Sequence, residues 1–166
     1  YDSVALERLA MAGLLHDLGM WLVPQRIVEK AGLLSADEWS GIHAHPEQGR
    51  RVVAEMGESF HWLATAIAQE HERWDGSGYP CRLKGGAIAE VAQIIGLADA
   101  FDAMISPRPY HARVAPHQAL RSLLVQYKEA FQPLLIKTLV DQLSLYPIGT
   151  SVRLNDGHVG VVSKVN

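Results

Sequence analysis

Residues 71–80 read His-Glu-Arg-Trp-Asp-Gly-Ser-Gly-Tyr-Pro. This stretch is too polar for a core and too specialised for an ordinary linker. It holds an imidazole, a glycine pair (Gly76, Gly78) and an aromatic followed by proline. With Gly85 and Gly86 beyond it, residues 72–87 form a loop, and a loop of that length in a compact domain is usually functional. What enters and leaves the loop sets the architecture. Upstream, Phe60, Leu63, Ala64, Ile67 and Ala68 recur with the helical period and lead to His71. Downstream, Ile88, Val91, Ala92, Ile95, Ala98 and Phe101 or Asp102 carry the same period to about Ile105. The frame is helix–loop–helix.

Further out the pattern stays helical. From Val4 to Leu18, residues Leu6, Leu9, Ala10, Gly13, Leu14 and Asp17 fall on one face, with Gly19 as the stop. Pro24 suits the first turn of a short helix to Lys30. Ser35-Ala36-Asp37-Glu38 is a capping-box pattern opening a helix at Ala36. That helix runs towards Met56, with Pro46 costing a bond or splitting it and Gly57 ending it. Helices are also expected over 116–127 and 133–145. The tail differs: Val152-Arg153-Leu154 and Val159-Gly160-Val161-Val162 flank Asn155-Asp156-Gly157, a hairpin signal. The expected fold is an all-α helical bundle with a small C-terminal β-hairpin. The expected boundaries are a helical domain over 1–146, with a helix upstream of Tyr1 in the full-length protein, and a hairpin extension over 147–166.

A net charge of −3 gives no reason to expect duplex nucleic acid or an anionic membrane as partner. A phosphate-bearing ligand would need local cations or metals. The single cysteine, Cys81, excludes an internal disulfide framework and a thiolate zinc site. No apolar run reaches the ~20 residues of a transmembrane helix, and residues 1–166 show no signal-peptide pattern. A reducing cytoplasm fits.

Polar groups stand where the pattern calls for apolar ones. His16 and Asp17 interrupt Leu14-Leu15…Leu18. His71 follows Ile67 by four residues, and Asp99 follows Ile95 by four with Asp102 continuing the row. Such groups survive burial when paired or when a metal supplies the missing charge. Each has an ordinary reading as well. His16 and Asp17 can satisfy one another, Asp99 can cap or bind an arginine, and His45 can end a turn before Pro46. His43 reads as exposed, and His61, Glu72 and Asp75 as solvated or turn residues. Taken jointly, four segments offer imidazole and carboxylate with no thiolate, a donor set for hard or borderline divalent metals. Asp17 or Asp99 would bridge two such ions.

Leu15-His16-Asp17-Leu18-Gly19, then His45-Pro46 with Gly49, then the 71–80 stretch resemble the HD-GYP family in order and spacing. So do Ala98-Asp99-Ala100-Phe101-Asp102-Ala103 and Arg108-Pro109-Tyr110. The resemblance covers nearly the whole chain. It implies an HD-superfamily bundle around two divalent ions (iron first; manganese, magnesium, nickel or zinc otherwise), with a third in some members. It implies a bacterial, cytoplasmic phosphodiesterase that hydrolyses cyclic di-GMP to pGpG and/or GMP by metal-activated hydroxide. By position, His16, Asp17, His45, Glu70, His71 and Asp99 would be metal ligands, with His16 and Asp17 as the catalytic pair and Asp17 bridging. Gly78, Tyr79, Arg108 and His111 would bind substrate. An upstream regulatory domain is implied, and the 72–80 loop is implied as a docking surface for a diguanylate cyclase or other signalling partner.

The chain departs from the family pattern at several positions. Glu70 stands where a first histidine of a pair is usual, Met20 where a lysine follows the glycine, and Ala89 where a proline is usual. Gln93 stands for arginine and His111 for lysine or arginine. Glu70 either ligates, favouring harder metals, or faces solvent and leaves one metal short. Loss of cations would weaken the hold on an anionic substrate. Two alternatives follow: a non-catalytic receptor or docking module in cyclic di-GMP signalling, and another HD-superfamily nucleotide phosphohydrolase.

Overall fold

Asp2 opens the first helix by accepting the Ala5 amide at 2.8 Å, and α1 runs Ser3–Leu15. The computed structural model describes residues 1–106, 114–144, 146 and 148–164. After α1 come a 3-10 turn, Leu18–Leu22, and the short α2, Gln25–Val28. Ser35 and Glu38 form the full capping box at the start of α3, Ala36–His43. Pro46 does split the helix expected to run on to Met56. The chain breaks at Ala44 and restarts as α4, His45–Ala54, with the proline in its first turn, where a missing N–H is harmless.

The remaining helices are α5, His61–Gln69, α6, Glu90–Ile105, α7, Pro116–Val125, and α8, Pro133–Leu143. Strands β1, Ser151–Arg153, and β2, Val159–Val161, pair antiparallel with Val152 opposite Gly160. The fold is the helical one with a terminal hairpin that the periodicity calls for.

Two apolar clusters hold the helices together. Ala12, Val53, Leu63, Ala64, Ala66, Ile67 and Ile95 join α1, α4, α5 and the first half of α6. Leu97, Leu123, Phe131 and Ile136 join the second half of α6 to α7 and α8. Each fully buried leucine or isoleucine contributes about 1.5–3 kcal/mol.

Three sequence expectations are corrected. The face of α1 chosen from periodicity is the wrong one: Leu14 is 83% exposed and Leu6 54%, while Ala12 is fully buried. The helix is apolar nearly all round, so pattern cannot choose a side; the small Ala12 lets α1 approach α5 and α6 closely. Along α6, Leu97 is buried rather than Ala98, and Asp102 is exposed, accepting from the Ser106 hydroxyl. Gly19 is not the helix stop, because α1 has already ended at Leu15. It is instead the point where the 3-10 turn lies against α4. A Cβ there would collide with the His45 carbonyl and crowd the Gly49 amide. Only glycine lets Asp17 come this close to His45.

Candidate metal centre

The ends of three helices meet at one place. His16 and Asp17 follow α1, His45 opens α4, and Glu70 and His71 follow α5. Two histidines are oriented by the same local device. The Nδ1 of His16 lies 2.8 Å from the Gly13 carbonyl, and that of His45 lies 2.8 Å from the Ile42 carbonyl. A carbonyl oxygen only accepts, so each Nδ1 carries the hydrogen and each Nε2 keeps its lone pair for the site.

Asp17, His45, Glu70 and His71 bring one ligand atom each to within 4.8 Å of one another. His45 Nε2 lies 3.0 Å from Glu70 Oε1, 3.2 Å from His71 Nε2 and 3.4 Å from Asp17 Oδ1. The facing nitrogens and carboxylates call for a positive charge among them, either a proton on His45 Nε2 donated to Glu70 or a metal ion. Bonds of about 2.1 Å to one ion place tetrahedral ligand atoms about 3.4 Å apart. The donor set therefore fits a divalent ion. Glu70 supplies a second sign: its side chain is 2% exposed, and its Oε2 is buried with no hydrogen bond from any described residue. A buried anionic oxygen without a partner is costly. The question the sequence left open at Glu70 is thus answered structurally: the carboxylate points inward.

Electrostatics follow the geometry. Burial pushes the Glu70 carboxyl above its usual range, against the opposing pull of His45 and His16. At His45 burial disfavours the charged ring, but the bonds to Glu70 and the Ile42 carbonyl and the charges of Glu70 and Asp17 raise it overall. Burial, and then the neighbouring His45 and Arg73, push His71 down to about 3. The ring is held neutral, as a metal ligand must be.

Asp17 faces two ways. Its Oδ1 lies near His45 and its Oδ2 lies 3.4 Å from His16 Nε2, and the side chain is 56% exposed. His16 is thus beside the group of four rather than within it. Asp99, half-buried on α6, is also outside the group; its charge acts on Arg73 and Tyr79. Arg108 and His111 lie outside the described residues. Gly78 is buried against the backbone of His71–Arg73, where a Cβ would not fit.

Tyr79 is sandwiched. Its ring stacks on His71 at 4.8 Å and 21°, and on His43 at 4.3 Å and 28°. Both faces are taken, which leaves only its edge and hydroxyl for any ligand. Burial pushes that hydroxyl's pKa up. His43 is exposed, as read, but belongs to this stack.

Two residues to which the sequence reading gave no structural role hold the loop. Glu72, read as solvated, is buried, and its carboxylate accepts the amides of Cys81 at 2.6 Å and Leu83 at 2.8 Å. Arg73 lies over the Phe131 ring at 4.9 Å and donates to the Glu70 and Glu72 carbonyls. Their signal was present in a faint form: a charged pair just past an apolar helix, with a glycine-rich loop whose amides need acceptors. Gln93 donates to the Ile88 carbonyl at 2.7 Å and lines a small void with Glu72, Trp74 and Phe131.

Comparison with known proteins gives the chain's family. The HD domain family model matches residues 1–134. A cyclic di-GMP phosphodiesterase of Pseudomonas aeruginosa, PA4108, is 34% identical over 95% of this chain and 38% of its own length. The cyclic di-GMP phosphodiesterase response regulator RpfG of Xanthomonas campestris is 37% identical over 80% of this chain and 35% of its own. A 3'3'-cGAMP-specific phosphodiesterase 2 of Vibrio cholerae is 36% identical over 81% of this chain and 26% of its own. The chain therefore spans between 26% and 38% of the length of these relatives. Among solved structures, Bd1817, a HDG"Y"P protein from Bdellovibrio bacteriovorus, superposes with a TM-score of 0.68 at 22% identity, covering 86% of this chain and 45% of that one. The likeness to Bd1817 shows the fold. With the family model spanning most of the chain and the relatives at this identity, the chain belongs to the HD domain family, in its HD-GYP branch.

Proposed function

We propose that this chain is the hydrolytic domain of a metal-dependent cyclic dinucleotide phosphodiesterase, acting on cyclic di-GMP to give pGpG and/or GMP. The observation that carries the reading is the convergence of Asp17, His45, Glu70 and His71, with the departing residue Glu70 turned into the cluster. Asp17, His45, Glu70 and His71 would hold one ion, and His16 with Asp17 Oδ2 would hold part of a second. Divalent ions bound there would supply a Lewis acid for a phosphoryl oxygen and would acidify a water.

The chain's own residues do the rest. The Gly13 and Ile42 carbonyls fix two imidazoles with Nε2 towards the site. Burial of Glu70 and His71 keeps water from their donor atoms. Asp17 is the ligand most open to solvent, so substrate arrives on its side. Two carboxylates against one divalent ion leave the cluster neutral, and a second ion leaves it positive, as an anionic dinucleotide requires. Arg108, His111 and Asp99 remain part of the reading by resemblance, as does a cytoplasmic setting; the relatives named above are all bacterial.

Three Vibrio cholerae relatives are named as 3'3'-cGAMP-specific, which makes that dinucleotide the second substrate to try. The deciding experiment is metal analysis of protein prepared under low oxygen, followed by turnover of both dinucleotides on the same sample. Release of pGpG or GMP, abolished in Asp17→Ala, is the expected result. Metal-replete protein that binds nucleotide and cleaves neither would favour the non-catalytic receptor and sink the hydrolase.

A further inference from the structure

The ring stack does not stop at Tyr79. His45 and His71 meet edge-on at 5.0 Å, His71 stacks on Tyr79, Tyr79 on His43, and His43 meets Trp39 at 5.5 Å. The series therefore leads from a donor of the metal cluster to an indole on the surface. Its two middle pairs are nearly parallel, at 21° and 28°, while the innermost pair is edge-on and the outermost is tilted by 44°. Trp39 is 49% exposed, and among the described residues His43 is the one ring in contact with it. Both project from α3, four residues apart and so on one face.

We propose that Trp39, seated beside His43, is the nucleobase-stacking residue of this site. The inference rests on the reading of the substrate as a cyclic dinucleotide. A phosphodiester placed at the cluster must send its bases outward, and the flat surface that leads outward is this stack. Tyr79 cannot take a base on either face while His71 and His43 cover it. Trp39 has an open ring, the largest π surface of the series, on a helix anchored by a capping box rather than on a mobile loop. Stacking of this kind holds a base without reading its hydrogen-bonding edge. Trp39 therefore sets affinity for nucleotides over base-free phosphates, and tolerates either purine of a cyclic dinucleotide.

The test is calorimetric titration of the manganese-loaded chain with GMP and with ribose 5-phosphate, which carries a phosphate and no base. Wild type, Trp39→Ala and Trp39→Phe are compared, with manganese content measured on each. Trp39→Ala is expected to weaken GMP about tenfold and to leave ribose 5-phosphate and manganese content unchanged. Trp39→Phe is expected to keep most of the GMP affinity. Unchanged GMP binding in Trp39→Ala overturns the proposal. So does an equal loss for both ligands, or a wild type that does not prefer GMP. Turnover of cyclic di-GMP on the same samples separates the two readings. Base-selective binding without hydrolysis defeats the hydrolase and leaves Trp39 its role, whereas hydrolysis by Trp39→Ala at unaltered KM defeats the role of Trp39 alone.

Discussion

Glu70 carries the sharpest consequence at the scale of single residues. Its carboxylate is buried beside His45 and its second oxygen lacks a hydrogen bond from any described residue. Replacing it with alanine removes a donor from a closed cluster. Glu70→Ala is expected to lower metal affinity by more than about a hundredfold, beyond what loss of an outer-shell partner costs, as read by competition with a chelating dye. Glu70→His restores the two-imidazole pattern usual in the family. It is expected to keep a metal while shifting preference from manganese or magnesium towards nickel or zinc, since imidazole suits softer ions than carboxylate does. A Glu70→His protein with unchanged preference would show that Glu70 does not ligate. His16, Asp17, His71 and Asp99 stood out because they interrupt an apolar pattern, while His45 and Glu70 became candidates only through the resemblance in order and spacing. The direction of Glu70 was not legible, because it follows the last helical residue, Gln69, where pattern no longer fixes a side.

Element by element, the boundaries were legible from caps and prolines: the Ser35 box and the break before Pro46 stand where the sequence places them. The inward face of α1 was illegible, since a helix apolar on both sides is oriented by its neighbours and not by its own period. The contact between the 3-10 turn and α4 was equally hidden, because a close approach leaves no mark but a glycine. Gly19→Ala is expected to destabilise the fold by roughly 2–3 kcal/mol, by pushing the turn off the His45 carbonyl. Urea unfolding would measure it, and metal uptake should fall with it, because Asp17 moves away from His45. At α3, the bond from Lys30 and then the Ser35 amide hold the Glu38 carboxyl down to about 2 from 4.5. A depressed carboxyl stabilises fully above its unfolded pKa and loses that contribution as pH falls through the folded one. Wild type should therefore exceed Glu38→Gln in stability at pH 6, and the gap should close between pH 4.5 and about 2. A gap that persists at the acid end would contradict the pairing.

Over the whole molecule, metal binding at the candidate cluster would be linked to folding, because its four residues come from segments far apart in sequence and meet only in the native state. At a thousandfold excess over Kd, an ion that binds only the native chain adds about 4 kcal/mol. For a chain of this size that raises Tm by roughly 10 °C, and a chelator should reverse it in a thermal melt. An identical melt with and without metal would mean the cluster is structural polarity and nothing more. The helical class and the terminal hairpin could be read from periodicity and turn residues, while the division of the interior into two clusters could not, because period marks a buried face without saying what it is buried against. That division has a further consequence. Helix α6 lends Ile95 to one cluster and Leu97 to the other, so neither half can open without disturbing it. Its amides should be the slowest in the chain to exchange with deuterium, opening only with global unfolding. The terminal hairpin, which packs into neither cluster, should trade its protons first.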